Sequence, residues 1–115
     1  MKENAIQEKS FQFSLDMIEL YKRLREVNET VISKQALRSG TSIGANIEEA
    51  LAGQSRKDFV AKMAIASKEA RETRYWLRLL QQSRLIKTDL APHLSQVDEL
   101  IRMLTSIVKT AQQRP

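Results

Sequence analysis

The segment from Ala36 to Leu51 combines the periodicity of a helix with an unusually small buried stripe. Its stripe residues recur at spacings of four and three: Ala36, Gly40, Ile43, Ile47 and Ala50. Serine, glycine, alanine and asparagine occupy many of the neighbouring positions. A glycine in the middle of a helix costs about 1 kcal/mol relative to alanine unless close packing compensates for it. The pattern therefore predicts a helix that packs closely against a neighbouring backbone.

The composition favours long helices with short connections. Among 115 residues there are three glycines, two prolines and no cysteine, which excludes disulfides, thiolate metal sites and thiol catalysis. The opening segment MKENAIQEKS lacks a signal-peptide core, and no apolar run approaches the roughly 18 residues of a membrane span. We therefore expect a single cytoplasmic, all-α domain over residues 1–115 that does not enter a membrane.

Hydrophobic periodicity predicts four helices, at about residues 10–27, 32–52, 56–84 and 89–111. The first stripe comprises Phe13, Met17, Leu20, Leu24 and Val27. The third is a strict heptad stripe of Phe59, Met63, Ala66, Ala70, Thr73, Leu77 and Leu80. Such stripes with short connections predict an antiparallel up-down-up-down four-helix bundle. The first ten residues and the last few are expected to fray.

Turn and cap residues mark the predicted helix ends. Residues 28–30 form the first break, and the second helix is expected to stop at Gly53 in a left-handed conformation. Ser55 can cap the third helix, with Asp58 three positions later. Thr88 is the predicted cap of the fourth helix, which carries its own stripe from Leu90 to Val108.

The third and fourth helices carry more apolar surface than one core face needs. The residues outside the third stripe are Ile65, Tyr75, Trp76 and Leu79. For Leu100 on the fourth helix, a wide core stripe in a monomeric bundle is an equally good explanation. For the third helix we favour a subunit interface, since aromatic residues are enriched in such patches. The sequence thus predicts a homo-oligomer.

No catalytic or metal-binding constellation is recognisable. A carboxylate-bridged di-metal bundle needs two Glu-x-x-His pairs, whereas this chain has one histidine, His93, which we interpret as a surface residue. Asn46 lies beside the small stripe, where its amide either fixes register with a neighbouring helix or faces solvent. Glu48 and Glu49 cannot share one helix face. We therefore expect no enzyme activity, no metal and no cofactor.

Basic residues concentrate on the third helix. The chain carries a formal net charge of +5, and nine basic residues face three acidic ones between Arg56 and Lys87. Six cations fall within one arc of about 120° and along about 33 Å of helix: Arg56, Lys57, Lys68, Arg71, Arg74 and Arg78. The arc suits a row of phosphates, although pairing within the helix, such as Lys68 with Glu72, is the competing interpretation. We predict nucleic-acid binding here, to RNA or DNA, without base reading.

A family resemblance emerges from the longest of these motifs. The run Gln35…Arg38-Ser39…Ser42-Ile43…Asn46-Ile47…Glu49, with Ile65-Ala66…Glu69-Ala70…Glu72-Thr73…Tyr75-Trp76-Leu77 after it, resembles the four-helix-bundle proteins encoded by intervening sequences of large-subunit ribosomal RNA genes. That family includes the accessory variability proteins of diversity-generating retroelements. The likeness covers the chain from about Phe11 to the end of the fourth helix.

The resemblance implies a basic bundle that assembles as a ring-shaped homopentamer, in which Ser42, Asn46 and Glu49 are mainly structural. It also implies binding of nucleic acid and of a reverse transcriptase in the accessory branch. Two functions therefore compete: a non-enzymatic accessory protein that binds nucleic acid, and a protein-interaction scaffold, for example for a reverse transcriptase, whose cations only aid solubility.

Overall fold

Four helices form an up-down bundle with overall extents of 50 × 21 × 21 Å. The computed structural model describes the backbone of residues 2–113 and the side chains of residues 5–113. In chain order the helices are α1 Lys2–Glu26, α2 Val31–Leu51, α3 Arg56–Gln82 and α4 Ala91–Gln113. Each helix packs against the next, and α4 closes the bundle against α1. Within the described range α1 and α3 lie diagonally opposite, with no close backbone approach between them. The all-α four-helix prediction is confirmed.

α2 packs closely against both neighbours, as its small stripe predicts. All five stripe residues are buried. A methyl group added to Gly40 would lie 3.0 Å from Met17 Cγ on α1. On the other side, the buried hydroxyl oxygens of Ser39 and Thr73 lie 2.7 Å apart and join α2 to α3. Small residues on α2 therefore let α1 and α3 approach it from two directions.

The stripes of α3 and α4 form the rest of the core. Every residue of the predicted α3 stripe is buried except Phe59, which is half-buried. Leu100 is also buried, so the broad-core interpretation holds for that residue. The predicted cap of α3 is confirmed, since Ser55 Oγ accepts the Asp58 N–H at 3.1 Å.

α1 begins at Lys2, and its predicted start near Ser10 is therefore wrong. Ile6 and Ser10 are buried and continue the core stripe toward the N-terminus. Ser10 can be buried because its hydroxyl donates to the Gln7 carbonyl at 3.1 Å. A serine in a core position breaks the apolar pattern, which is why periodicity alone misses this turn. At the other end Val27 is exposed in the turn after α1 rather than part of the stripe.

Left-handed backbone occurs at two connections, but not at Gly53. Asn28 and Arg84 have φ angles of 64° and 60°. α2 ends instead with Ala52 in a right-handed helical conformation, followed by a Gly53 N–H that donates to the Ala50 carbonyl at 3.1 Å. The prediction that Gly53 adopts a left-handed conformation is therefore wrong, because the backbone stays right-handed through the turn that follows α2.

Polar side chains accept hydrogen bonds from backbone N–H groups at the N-termini of α2 and α4. The buried carboxylate of Glu29 accepts the N–H groups of Ile32 and Ser33, at 3.1 and 2.8 Å. At α4, Asp89 Oδ1 accepts the Ala91 N–H at 3.0 Å. α4 thus begins two residues after the predicted start, and Asp89 rather than Thr88 supplies a side-chain acceptor for its first turn.

His93 is buried, with 7% of its surface exposed, so its predicted surface position is wrong. It faces α1 beside a cavity that Asp16, Glu19 and Arg23 also line. Burial, with a further contribution from Arg23, lowers the pKa of the imidazole, and Asp16 only partly opposes this effect. His93 is consequently neutral at physiological pH.

We expect Gly44→Ala to raise the free energy of unfolding by about 0.5–1 kcal/mol. The added methyl meets only ordinary contacts, the nearest being Ser14 Oγ at 3.4 Å. Gly40→Ala gains the same helix propensity but crowds Met17 Cγ, so it should be less stable than Gly44→Ala by about 1 kcal/mol or more. Urea unfolding measures both. A Gly40→Ala variant as stable as Gly44→Ala would contradict the close approach of α1 to α2.

The lowered pKa of His93 makes stability fall in mild acid. The unfolded chain binds a proton near the ordinary pKa of 6.5, whereas the folded protein binds it only at lower pH, so stability falls as the pH drops through 6.5. We expect the thermal midpoint to fall more in the wild type than in His93→Gln between about pH 7.5 and about pH 5.5. Equal decreases in the two proteins would contradict a buried neutral imidazole.

Candidate nucleic-acid interface

The six predicted cations lie within one arc of about 120° on α3. Five of them are exposed: Arg56, Lys57, Lys68, Arg71 and Arg78. The sixth, Arg74, is half-buried. Because these residues project from one rigid helix of 27 residues, their spacing is fixed by the helix. The structure therefore brings the predicted cations together on one surface.

Two of these cations contact α4. Arg71 Nη2 donates to the hydroxyl of Thr105 at 3.3 Å, and Arg74 Nη1 lies 3.4 Å from Asp98 Oδ1. The hydroxyl leaves the charge of Arg71 uncompensated, whereas Asp98 balances that of Arg74. Both members of the Arg74–Asp98 pair are about two-fifths exposed, so water screens the pair and it contributes little to stability.

Glu72, four residues after Lys68, is engaged with α2 and with Trp76. Its carboxylate pairs with Arg38 of α2 and accepts the Trp76 indole N–H at 3.0 Å. Glu69 also faces Arg38, with 3.7 Å between Oε2 and Nη1. These contacts join α2 to α3. They do not support the interpretation in which Glu72 neutralises Lys68 along the helix.

The basic surface continues onto α4 through two residues that sequence reasoning missed. Arg102 and Lys109 are exposed. Their spacing from Asp98 and Thr105 places them on the side of α4 that contacts α3. The sequence shows this spacing, but the neighbouring helix that these two residues face depends on how α4 packs. We use "α3–α4 basic face" for the six α3 cations together with Arg102 and Lys109.

The predicted interface residues of α3 differ in exposure. Ile65 and Tyr75 are 37% and 54% exposed, whereas Trp76 and Leu79 are half-buried. Trp76 packs against the core of the bundle, and the Tyr75 ring meets it edge-on with centroids 5.2 Å apart. The most accessible apolar surface is thus that of Ile65 and Tyr75.

A second exposed apolar stripe lies on α1 and was not predicted. Phe11, Leu15 and Ile18 are 63%, 43% and 41% exposed. Their spacings of four and three place them on one side of the helix. The spacing is present in the sequence, but the sequence analysis considers only the stripe from Phe13 to Val27 on this helix. We call these three residues the α1 outer stripe.

The predicted signature residues make contacts within α2 and with α3. The half-buried Asn46 amide donates to the carbonyl and hydroxyl of Ser42, at 2.9 and 3.1 Å, within its own helix. These contacts do not join α2 to another helix, as the register interpretation requires. Glu49 and Glu48 are both exposed, and Glu49 pairs with Lys62 of α3 at 2.8 Å. The hydrogen bond that the Lys62 ammonium donates to Glu49 raises the pKa of Lys62.

The described side chains gather no group of three or more histidine, cysteine, aspartate or glutamate residues that could hold a metal ion. Among the helices of residues 2–113, none is long and apolar enough to cross a membrane. The geometry therefore offers charged and apolar surfaces for recognition.

Comparison with known proteins identifies the family. A comparison with curated proteins finds no match. The fold matches the crystal structure of a protein of unknown function from the S23 ribosomal protein family of Bacteroides thetaiotaomicron. The two are 48% identical with a TM-score of 0.90, over 95% of this chain and 99% of that one. The family model for the 23S rRNA-intervening sequence protein matches residues 2–106. The chain therefore belongs to the 23S rRNA-intervening sequence protein family.

Proposed function

We propose that this protein is a non-enzymatic accessory protein that binds nucleic acid through the α3–α4 basic face. The observation that carries the proposal is the exposure of five α3 cations along one side of a rigid helix. From Arg56 to Arg78 they cover about 33 Å. Each strand of a duplex presents a phosphate about every 3.4 Å along its axis. Several phosphates can therefore lie within reach at once.

The chemistry of the face favours phosphate binding over base reading. Lysine and arginine neutralise phosphates and release condensed counterions, which gives affinity without sequence information. The charge of Arg71 is held in place by Thr105 and remains available for a phosphate. Arg74 contributes less because Asp98 already balances it. We therefore expect Arg71 and Arg78 to matter more than Arg74.

Assembly would strengthen this binding. A ring of five copies, which the family resemblance implies, repeats the face five times. Linked faces on one nucleic acid bind at a high effective concentration, so that individually weak contacts give tight overall binding. The proposal does not depend on the number of copies, because each subunit carries a complete basic face.

The test is binding of fluorescent single- and double-stranded RNA and DNA at low and moderate salt. We expect wild-type affinity to fall steeply with salt, with a slope of about 0.9 per phosphate contacted on duplex DNA. Arg71→Glu with Arg78→Glu should lower the affinity at least about tenfold and reduce the slope. Failure of all four nucleic acids to bind wild-type protein at low salt would contradict the proposal.

Two further variants separate a local effect from net charge and from assembly. Lys34→Glu with Lys87→Glu makes the same charge change at exposed positions outside the face, and we expect it to bind nearly as well as wild type. Arg102→Glu with Lys109→Glu removes cations from the α4 part of the face and should weaken binding. Equal losses in the Lys34/Lys87 and Arg71/Arg78 variants would indicate a general charge effect and contradict a defined face.

A further inference from the structure

The connections 27–30 and 83–90 lie at the same end of the bundle. Successive helices alternate in direction, so that α1 and α3 finish at this end and α2 and α4 begin there. The cavity beside His93 shows the same proximity, since Arg23 near the end of α1 lines it together with Asp89 and Pro92 at the start of α4. We call residues 22–34 and 83–90 the two-connection end.

Three apolar side chains are exposed at the two-connection end. Val27, Val31 and Leu85 are 63%, 76% and 57% exposed. Val27 and Leu85 belong to the connections, and Val31 is the first residue of α2. The connection at the opposite end, residues 52–55, has the sequence Ala-Gly-Gln-Ser, without a large apolar residue. Exposed apolar surface in the connections is therefore confined to one end of the bundle.

The backbone holds Leu85 in its exposed position. Arg84 has a φ of 60°, a left-handed conformation that a residue with a Cβ adopts only at an energetic cost. The Leu85 N–H then donates to Ser83 Oγ at 3.2 Å, and the next residue, Ile86, turns into the core. The turn thus buries one apolar side chain and presents its neighbour to the outside.

The same segments carry an excess of cations. Three acidic residues are present, and two of them, Glu29 and Asp89, accept N–H groups at the starts of α2 and α4, where the helix dipole balances part of their charge. Lys22 pairs with Glu19 at 3.2 Å in an exposed contact that water screens. The end is therefore net positive as well as apolar. Its basic residues are all exposed: Lys22, Arg23, Arg25, Lys34, Arg84 and Lys87.

This combination favours a lipid surface over a nucleic acid or a second protein. Neither segment contains an aromatic residue on which a base could stack, and phosphates offer nothing to exposed valine and leucine. A partner helix needs a groove for its apolar side, whereas a side chain as exposed as Val31 does not line one. An anionic bilayer supplies phosphate headgroups for the cations and an apolar phase beneath them for the aliphatic side chains.

We propose that the two-connection end attaches this protein to the surface of an anionic membrane. The three exposed apolar side chains enter the interfacial layer of the bilayer, while cations such as Lys34 and Lys87 contact lipid phosphates. The bundle axis stands upright on the membrane, because both connections reach the same plane. The contact is peripheral, and it needs no spanning helix, which residues 2–113 do not contain.

An upright bundle keeps nucleic acid and lipid on different surfaces. Arg102 and Lys109 stand eleven and eighteen residues after Ala91, the first residue of α4, which places them about 17 and 27 Å along the helix from the membrane end. The α4 part of the α3–α4 basic face therefore lies away from the lipid. Membrane attachment and nucleic-acid binding can consequently be tested separately.

The first test is sedimentation of the full chain with lipid vesicles at moderate salt. Vesicles of about one-quarter phosphatidylglycerol in phosphatidylcholine should bind wild-type protein at least about tenfold more tightly than pure phosphatidylcholine vesicles. Val31→Ser with Leu85→Ser removes apolar surface without a change in charge and should weaken binding at least about tenfold. Absence of binding to the anionic vesicles, equal binding to both kinds, or unchanged binding by this variant overturns the proposal.

Two charge variants separate the two-connection end from the α3–α4 basic face. Lys34→Glu with Lys87→Glu should release the protein from anionic vesicles and leave nucleic-acid binding nearly unchanged. Arg102→Glu with Lys109→Glu makes the same change in net charge and should keep vesicle binding. Equal loss of vesicle binding in both variants would indicate a general charge effect and overturn the proposal. Loss of nucleic-acid binding in place of vesicle binding in the Lys34/Lys87 variant would identify nucleic acid as the occupant and also overturn it.

A fluorescent label tests the orientation of the bundle. The chain has no cysteine, so Leu85→Cys and Gln54→Cys each accept one environment-sensitive dye at opposite ends. All substituted side chains are exposed, and circular dichroism should show each variant to be as helical as wild type. On binding to anionic vesicles, the dye at position 85 should emit at shorter wavelength because it enters the lipid interface, whereas the dye at position 54 should keep its emission. No shift at position 85, or a shift at position 54, overturns the proposal.

Discussion

The close packing of α2 against both α1 and α3 is the constraint on which the rest of the structure depends. Gly40 leaves room for Met17 on one side, and Ser39 meets Thr73 on the other. Because α2 occupies the space between them, α1 and α3 end up diagonally opposite and parallel. This arrangement fixes the outer sides of both helices as the surfaces available to partners.

α3 presents two kinds of chemistry on adjacent sides. Toward α4 it carries cations, of which Arg71 is held by a hydroxyl and Arg74 by a carboxylate. It also carries Ile65 and Tyr75, which expose apolar surface. Cations favour phosphates, whereas exposed apolar surface favours another protein surface. We therefore assign nucleic acid to the cations of α3 in the proposed function.

The sequence was sufficient to predict the four stripes, because burial on one side of a helix leaves a periodic pattern. The pattern shows which residues share a side, but not what that side meets. His93 was placed at the surface because nothing in its own helix reveals that α1 covers it. The stripe of Phe11, Leu15 and Ile18 was missed for the converse reason, since only the packed bundle shows that no helix covers it. Left-handed backbone at Arg84 was likewise beyond prediction, because residue preference favours glycine there.

We propose that α2 is a structural helix and that the outward surface of α3 and α4 recognises nucleic acid. Lysine and arginine footprinting with mass spectrometry tests this division most directly, by comparing the labelling of wild-type protein with and without a bound oligonucleotide. The account predicts protection of Arg78, Arg102 and Lys109, with Lys34 and Lys87 labelled equally in both states. Uniform protection, or protection confined to Lys34 and the rest of α2, would contradict it.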